Sequence, residues 1–209
     1  MKIALYGATG KAGRRILKEL VSRGHRVTAI VRDPAKIPEP QPGVTVTRDD
    51  LSDPGKIAAA VNGAEAVVSA YAPPPDEPEA LVSVTQRQIN ALNGSKVRLL
   101  VVGGAGGLQV APGVALVDSG YVPESVLPIA RAHVKALDVL RASPIDWTYL
   151  APAAFFEPGE RTGKFRLGKD ELIANAQQES RISMEDYAIA LVDELERPAH
   201  HRQRFSVGY

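Results

Sequence analysis

The chain has 209 residues, enough for one α/β domain with a sizeable core, and its 44% apolar and 23% charged residues are ordinary for a globular protein. The formal net charge is +1, so no overall field argues for nucleic acid or an anionic membrane surface. The lack of cysteine excludes disulfides, thiolate catalysis and zinc–thiolate sites, and it fits a reducing compartment. Ile3–Tyr6 is a short apolar run ending at Gly7, the mark of a buried parallel strand and too short for a signal peptide. Lys11–Arg23 reads as a helix with Ile16, Leu17, Leu20 and Val21 on one face. Val27–Val31 is a second strand, the Pro-rich segment Pro34–Pro42 a loop, and Val44–Thr47 a third strand. Pro54 opens a short helix to about Val61, and Ala66–Ala70 is a fourth strand. After the stiff turn Pro73–Pro78 come a helix over Glu79–Leu92, a central strand over Val97–Val102, a helix over Ile129–Ala142 and a sixth strand over Trp147–Ala151.

Beyond Pro152 the pattern changes. Phe155–Gly159 and Arg161–Gly168 read as loop with a hairpin, and Ser183 starts a helix through a Ser183-x-x-Asp186 capping box. Phe205–Val207 is expected as an edge strand. The alternation predicts one doubly wound, mostly parallel sheet with helices on both faces, a Rossmann fold over residues 1–209. Residues 1–151 form its core, and 152–209 are substrate-side loops, helix and edge strand. No apolar stretch approaches the roughly 18 residues that span a bilayer. A cytoplasmic protein without a membrane partner is the default expectation.

The opening turn is the main chemical signal. Gly7-Ala8-Thr9-Gly10-Lys11-Ala12-Gly13 lies between the first strand and the first helix. Gly7 gives freedom for a tight turn, Gly10 lets backbone approach a diphosphate, and Gly13 lets the helix pack close to the strand. The helix N-terminus offers free N–H groups and partial positive charge to an anion. Lys11, Arg14 and Arg15 in the first turns disfavour an empty helix end and favour a bound polyanion, with Lys11 as the best phosphate contact. After the second strand comes Arg32, then Asp33. A guanidinium here matches a 2′-phosphate, so NADP(H) is favoured over NAD(H), which Asp33 on the ribose would instead support.

These residues, with Asp50-Leu51 after the third strand, resemble the atypical short-chain dehydrogenase/reductases of the NmrA-like type. Val102–Leu108, Pro152–Gly163 and Arg181–Ala188 are similar to bacterial NADH-flavin reductases of that class. The resemblance covers nearly the whole chain. It implies that Asp50 and Leu51 meet the adenine, and that Ala70 and Tyr71 line the ribose and diphosphate path. It also implies that Gly103 and Gly104 lie near the nicotinamide, with Pro152, Ala153 and Phe155 covering it.

Standard members of this class move a carbinol proton with Tyr-x-x-x-Lys and a Ser. None of the six tyrosines has Lys four residues later, and the usual Ser after the fifth strand is glycine. The nearest candidates for a catalytic role are His133, which would titrate near neutrality and donate a proton, and Lys135, which would hold a ribose hydroxyl or an anionic substrate. Two residues apart on a helix, they do not share a face. No metal-ligand spacing and no basic–aromatic nucleic-acid pattern is visible. Reduction of a flavin or quinone needs chiefly ring alignment and exclusion of water. Phe155, Phe156 and Trp147 are available as stacking surfaces, and the glycine-rich segment Gly104–Pro123 as a lid. The sequence is therefore read as an NAD(P)H-dependent reductase of FMN, another flavin or a similar planar acceptor, with homo-oligomerisation left open. The alternative is an NmrA-like NAD(P)-binding redox sensor without turnover. A sugar-nucleotide epimerase is a third reading, disfavoured by the missing Tyr-x-x-x-Lys.

Overall fold

A computed structural model describes residues 1–37 and 42–209. In chain order the elements are β1 (Lys2–Tyr6), α1 (Lys11–Ser22), β2 (Arg26–Val31), β3 (Val44–Arg48), α2 (Pro54–Ala60), β4 (Ala66–Ser69), α3 (Ala80–Leu92) and β5 (Arg98–Val102). There follow β6 (Gln109–Ala111), β7 (Val114–Ala115), α4 (Leu127–Arg141), β8 (Trp147–Pro152), β9 (Phe155–Glu157), β10 (Arg166–Gly168), β11 (Arg181–Ser183), α5 (Met184–Glu196) and β12 (Gln203–Gly208). Of the expected loop Pro34–Pro42, Pro34–Lys36 form a 3-10 turn, and residues 38–41 lie outside the described residues.

Eight strands form one sheet in the order β10-β12-β8-β5-β4-β1-β2-β3. All neighbours are parallel except β10 and β12. The period-2 alternation of each strand sends side chains to two separate cores. Ile3 and Leu5 pack with Ile16, Leu20, Leu191 and Leu195 under α1 and α5. Ala4 and Tyr6 pack with Ile57, Val84, Leu92 and Leu137 under α2, α3 and α4. From β1 the chain winds to β2 and β3 on one side, then returns to β4 on the other. That reversal opens a crevice at the carboxyl ends of β1 and β4, where open α/β sheets bind ligands. Among the described residues no helix is long and apolar enough to cross a membrane.

The C-terminal quarter departs from expectation. β12 is not an edge strand, because it lies between β8 and β10. The three residues Arg166–Gly168 add antiparallel to it and take the edge, a pairing that no local pattern announces. Phe155–Gly159 and Arg161–Gly168 do not form a hairpin either: β9 pairs in parallel with β11, and β10 pairs with β12. The capping box at α5 is half formed. Ser183 Oγ accepts from the Asp186 amide at 3.0 Å. The Asp186 carboxylate, however, accepts from the Thr162 and Gly163 amides, both at 2.8 Å, and so straps the 159–164 segment to the helix.

Candidate functional site

The site grows from the turn after β1. Gly7 has φ +77°, and a Cβ there would lie 2.2 Å from the Ala70 carbonyl oxygen, so only glycine lets β1 turn this close to the end of β4. A Cβ on Gly13 would lie 2.0 Å from the Gly7 oxygen. That contact draws the first turn of α1 against the loop, and the Gly10 amide closes the turn onto the Gly7 oxygen at 2.9 Å. Gly10 caps α1 without a side chain, and the first turn holds no acidic residue. The N–H groups of Lys11, Ala12 and Gly13 therefore present partial positive charge at the crevice. Of Lys11, Arg14 and Arg15, the cations in the first turns, the two arginines are committed. Arg14 folds back on the carbonyls of Thr9 and Gly10 at 3.0 and 3.3 Å, and Arg15 pairs with Glu185. Lys11 is exposed and fits the phosphate role assigned to it. An uncapped helix end on a turn packed so tightly that only glycine fits at Gly7 and Gly13, with Lys11 exposed at the first helical position, together fit a diphosphate.

Beside this turn a cleft of about 140 Å³ brings together Gly7, Thr9, Gly10, Arg32, Asp50, Leu51, Ala70 and Tyr71, all singled out from the sequence. Arg32 is exposed at the rim. One Asp33 carboxylate oxygen accepts from the Ala35 amide at 3.1 Å and caps the 3-10 turn, which leaves the other oxygen exposed. Asp50 likewise accepts from the Ser52 amide at 3.0 Å. Leu51 is buried with φ +62°, a left-handed conformation that costs a non-glycine residue about 1 kcal/mol and persists where the surroundings enforce it.

Sequence reasoning missed those surroundings. The Tyr6 hydroxyl donates to Asp49 at 2.7 Å, Asp49 accepts the Asp50 amide at 2.9 Å, and Arg87 donates to the Leu51 carbonyl at 2.7 Å. Burial and the Asp49 carboxylate hold the Tyr6 phenol protonated by raising its pKa far above the usual range. The Tyr71 phenol, half-buried, is also pushed up by burial.

On the β5–β8 side, the Gly103 amide donates to the Leu150 carbonyl at 2.9 Å and the Gly104 amide to the Tyr149 hydroxyl at 2.8 Å. Pro152 and Ala153 are buried where β8 ends, and Phe155 stands 55% exposed beyond them. The tandem phenylalanines divide their work. Phe156 packs inward with its ring 4.6 Å from Tyr187, whereas Phe155 faces outward with the Arg181 guanidinium 5.4 Å from its ring centre. Trp147 is 2% exposed and belongs to the core, so it offers no stacking surface.

The expected lid over Gly104–Pro123 is tied down. Leu108, Leu116 and Val117 are buried, β6 pairs with β7, and Arg204 holds the Gly107 carbonyl at 2.8 Å. Near its end Tyr121 stands 80% exposed.

The two candidates for a catalytic role have different surroundings. His133 lies against the Gly104 backbone, and its Nδ1 is 3.2 Å from the Tyr149 hydroxyl. Burial pushes its pKa down to about 4, so it does not titrate near neutrality as the sequence suggested. Lys135 is exposed and pairs with Glu79 at 2.6 Å. No group of three metal-ligating side chains is found among the described residues.

Comparison with known proteins bears on this geometry. A family model described as NAD(P)H-binding matches residues 7–198. YwnB of Bacillus subtilis is 44% identical over 212 residues, covering 99% of this chain and 98% of its own. A solved structure from Bacteroides thetaiotaomicron, named "putative epimerase", is 44% identical with a TM-score of 0.93 over 100% of this chain and 96% of that one. A Streptococcus pneumoniae structure named "putative NADH-flavin reductase" is 37% identical with a TM-score of 0.91 over 100% and 99%. The chain thus belongs to the NAD(P)H-binding family whose model it matches over residues 7–198.

Proposed function

We propose that the protein is an NAD(P)H-dependent reductase that passes hydride to a flavin or a similar planar acceptor such as a quinone, with NADPH preferred. The observation that carries this reading is an asymmetry. An anion cradle stands at the N-terminus of α1 and an exposed ring, Phe155, just past the end of β8, while burial lowers the pKa of His133, the histidine nearest Gly103 and Gly104, to about 4. His133 is uncharged, and burial raises the phenols of Tyr149 and Tyr187. Carbonyl reduction in standard relatives needs a proton donor at the forming alcohol. A flavin does not need one from the protein, because ring alignment and exclusion of water suffice. A reduced nicotinamide, when bound, supplies the hydride.

The chain's own residues have distinct parts. The first-turn amides of α1 and Lys11 hold the diphosphate. Arg32, exposed at the cleft's rim, takes the 2′-phosphate, since its guanidinium fork matches phosphate geometry. Asp50 and Leu51 meet the adenine, and Ala70 and Tyr71 flank the ribose path. Gly103, Gly104, Pro152 and Ala153 shape the floor on which the nicotinamide lies. Phe155 stacks on the incoming acceptor. Lys135, held by Glu79, keeps a weaker place in the reading as a contact for an anionic substrate. The relative named for epimerase chemistry does not draw the reading that way, because this chain has no Tyr-x-x-x-Lys.

The test is oxidation of NADPH and NADH, followed by loss of nicotinamide absorbance, with FMN, riboflavin or a quinone added. Acceptor-dependent oxidation that prefers NADPH supports the proposal. No rate above background, together with tight binding of the oxidised nucleotide, refutes it in favour of a dinucleotide-binding regulator, which the uncharged His133 also fits.

A further inference from the structure

The sheet order places the two halves of a dinucleotide on opposite sides of β1. With the diphosphate at the N-terminus of α1 and the adenosine toward β2 and β3, the other half must lie over the ends of β4, β5 and β8. There the chain carries Gly103 and Gly104, and the buried Tyr149 with the partly buried His133 lies directly behind them. The Gly104 N–H donates to the Tyr149 hydroxyl at 2.8 Å. The hydroxyl has one proton to give, and His133 offers two acceptors, Nδ1 at 3.2 Å and its own carbonyl at 3.4 Å. The packing is as close as the bonding. A Cβ on Gly103 would meet the Tyr149 ring at 2.3 Å, and one on Gly104 would meet the His133 ring at 2.7 Å. A planar trans peptide points its carbonyl opposite its N–H. Anchoring the Gly104 N–H on Tyr149 therefore turns the Gly103 carbonyl away from α4.

We propose that Tyr149, backed by His133, is a positioning residue that sets the Gly103–Gly104 peptide against the nicotinamide half of the cofactor. Neither side chain touches the reacting atoms. Their effect is on how squarely the ring lies, and displacement by about 1 Å costs on the order of 100-fold in rate. The inference rests on the reductase reading for its kinetic consequence but not for its structural one. His133 thereby becomes a neutral buttress in place of a proton donor.

The decisive variant is Tyr149→Phe, which keeps the ring against Gly103 and deletes the hydroxyl. His133→Phe is the second, keeping a ring under Gly104 without the Nδ1 acceptor. The expected result for Tyr149→Phe is a kcat for FMN reduction lowered about tenfold or more. The KM for NADPH should stay within about twofold, since the phosphate and adenosine contacts are untouched. The Gly104 amide should exchange with solvent markedly faster than in the wild type. Wild-type kcat with unchanged Gly104 exchange overturns the proposal, as does a raised KM at unchanged kcat. If the wild-type protein binds NADPH but reduces no planar acceptor, the reductase reading falls alone. The fluorescence of bound NADPH and the Gly104 exchange rate then decide: altered in Tyr149→Phe they support the positioning role, and unaltered they overturn it.

Discussion

Alanine at Gly13 and alanine at Gly10 should fail in different ways. At Gly13 the new Cβ falls 2.0 Å from the Gly7 oxygen and 2.7 Å from its carbonyl carbon. Ordinary contact begins at 3.4 Å, a shortfall of about 1.4 Å against rigid backbone. Either α1 slides outward or the loop swings. Overpacking of this kind costs about 1–3 kcal/mol. For a chain this long that corresponds to a melting temperature lower by roughly 3–10 °C. The same displacement pulls the first-turn amides off the diphosphate, and losing two charge-assisted hydrogen bonds at about 1.5 kcal/mol each weakens the dinucleotide by roughly 100-fold. At Gly10 the Cβ meets only the Gly7 oxygen, at 3.2 Å. Alanine there costs at most about 1 kcal/mol as a poorer cap, yet its methyl stands at the mouth of the helix where the diphosphate docks. Calorimetric titration of NADPH and NADH, with a thermal melt of each variant, separates the two. Gly13→Ala should lose both stability and binding, and Gly10→Ala chiefly binding. A Gly13→Ala protein with wild-type melting would show that the packing argument is wrong. A Gly10→Ala protein with wild-type affinity would remove the diphosphate from this turn.

Arg32→Ala should weaken NADPH by roughly 10- to 100-fold, the worth of a charged fork on a phosphate, while NADH changes little; equal losses for both nucleotides would reassign the arginine to the surface. Phe155→Ala should leave the melting temperature nearly unchanged and raise the KM for the acceptor, whereas Phe156→Ala should cost at least about 2 kcal/mol because its ring packs on Tyr187. Reversed phenotypes in that pair would show the platform has been assigned to the wrong ring. The histidine yields a pH dependence. His133 goes from an ordinary 6.5 to about 4 in the folded protein, so within that window the unfolded chain takes up a proton that the native one refuses. Stability should fall as the pH drops from 6.5 toward 4, and His133→Asn should flatten that slope. Melting curves across the window with the same slope in both proteins would deny the histidine its buried, neutral state.

The fold and half of the site follow from local pattern. Seven consecutive residues, Gly7–Gly13, announce the turn because its requirements are local: a positive φ and two close approaches, each met only where Cβ is absent. Unbroken apolar runs mark β1, β4 and β5, and a run broken only by Thr148 marks β8, because parallel strands are covered on both faces. The role proposed for Arg32 rests on its position past β2. What escaped is what depends on partners far along the chain. Tyr6 and Asp49 lie 43 residues apart, and Gly104 and Tyr149 lie 45 apart. The alternation of Trp147, Tyr149 and Ala151 gives only a shared face toward α4, not what meets it there. His133 seemed a plausible acid until burial lowered its pKa, and burial belongs to no single segment. The interior place of β12 arose likewise, from a three-residue strand whose register is set by pairing alone. Composition and periodicity act between neighbours in the chain and so settle element type, sheet class and the anion cradle. Edge order, protonation state and the latch behind Gly104 come from groups brought together only when the sheet closes, and free energies of desolvation and contact exist only then.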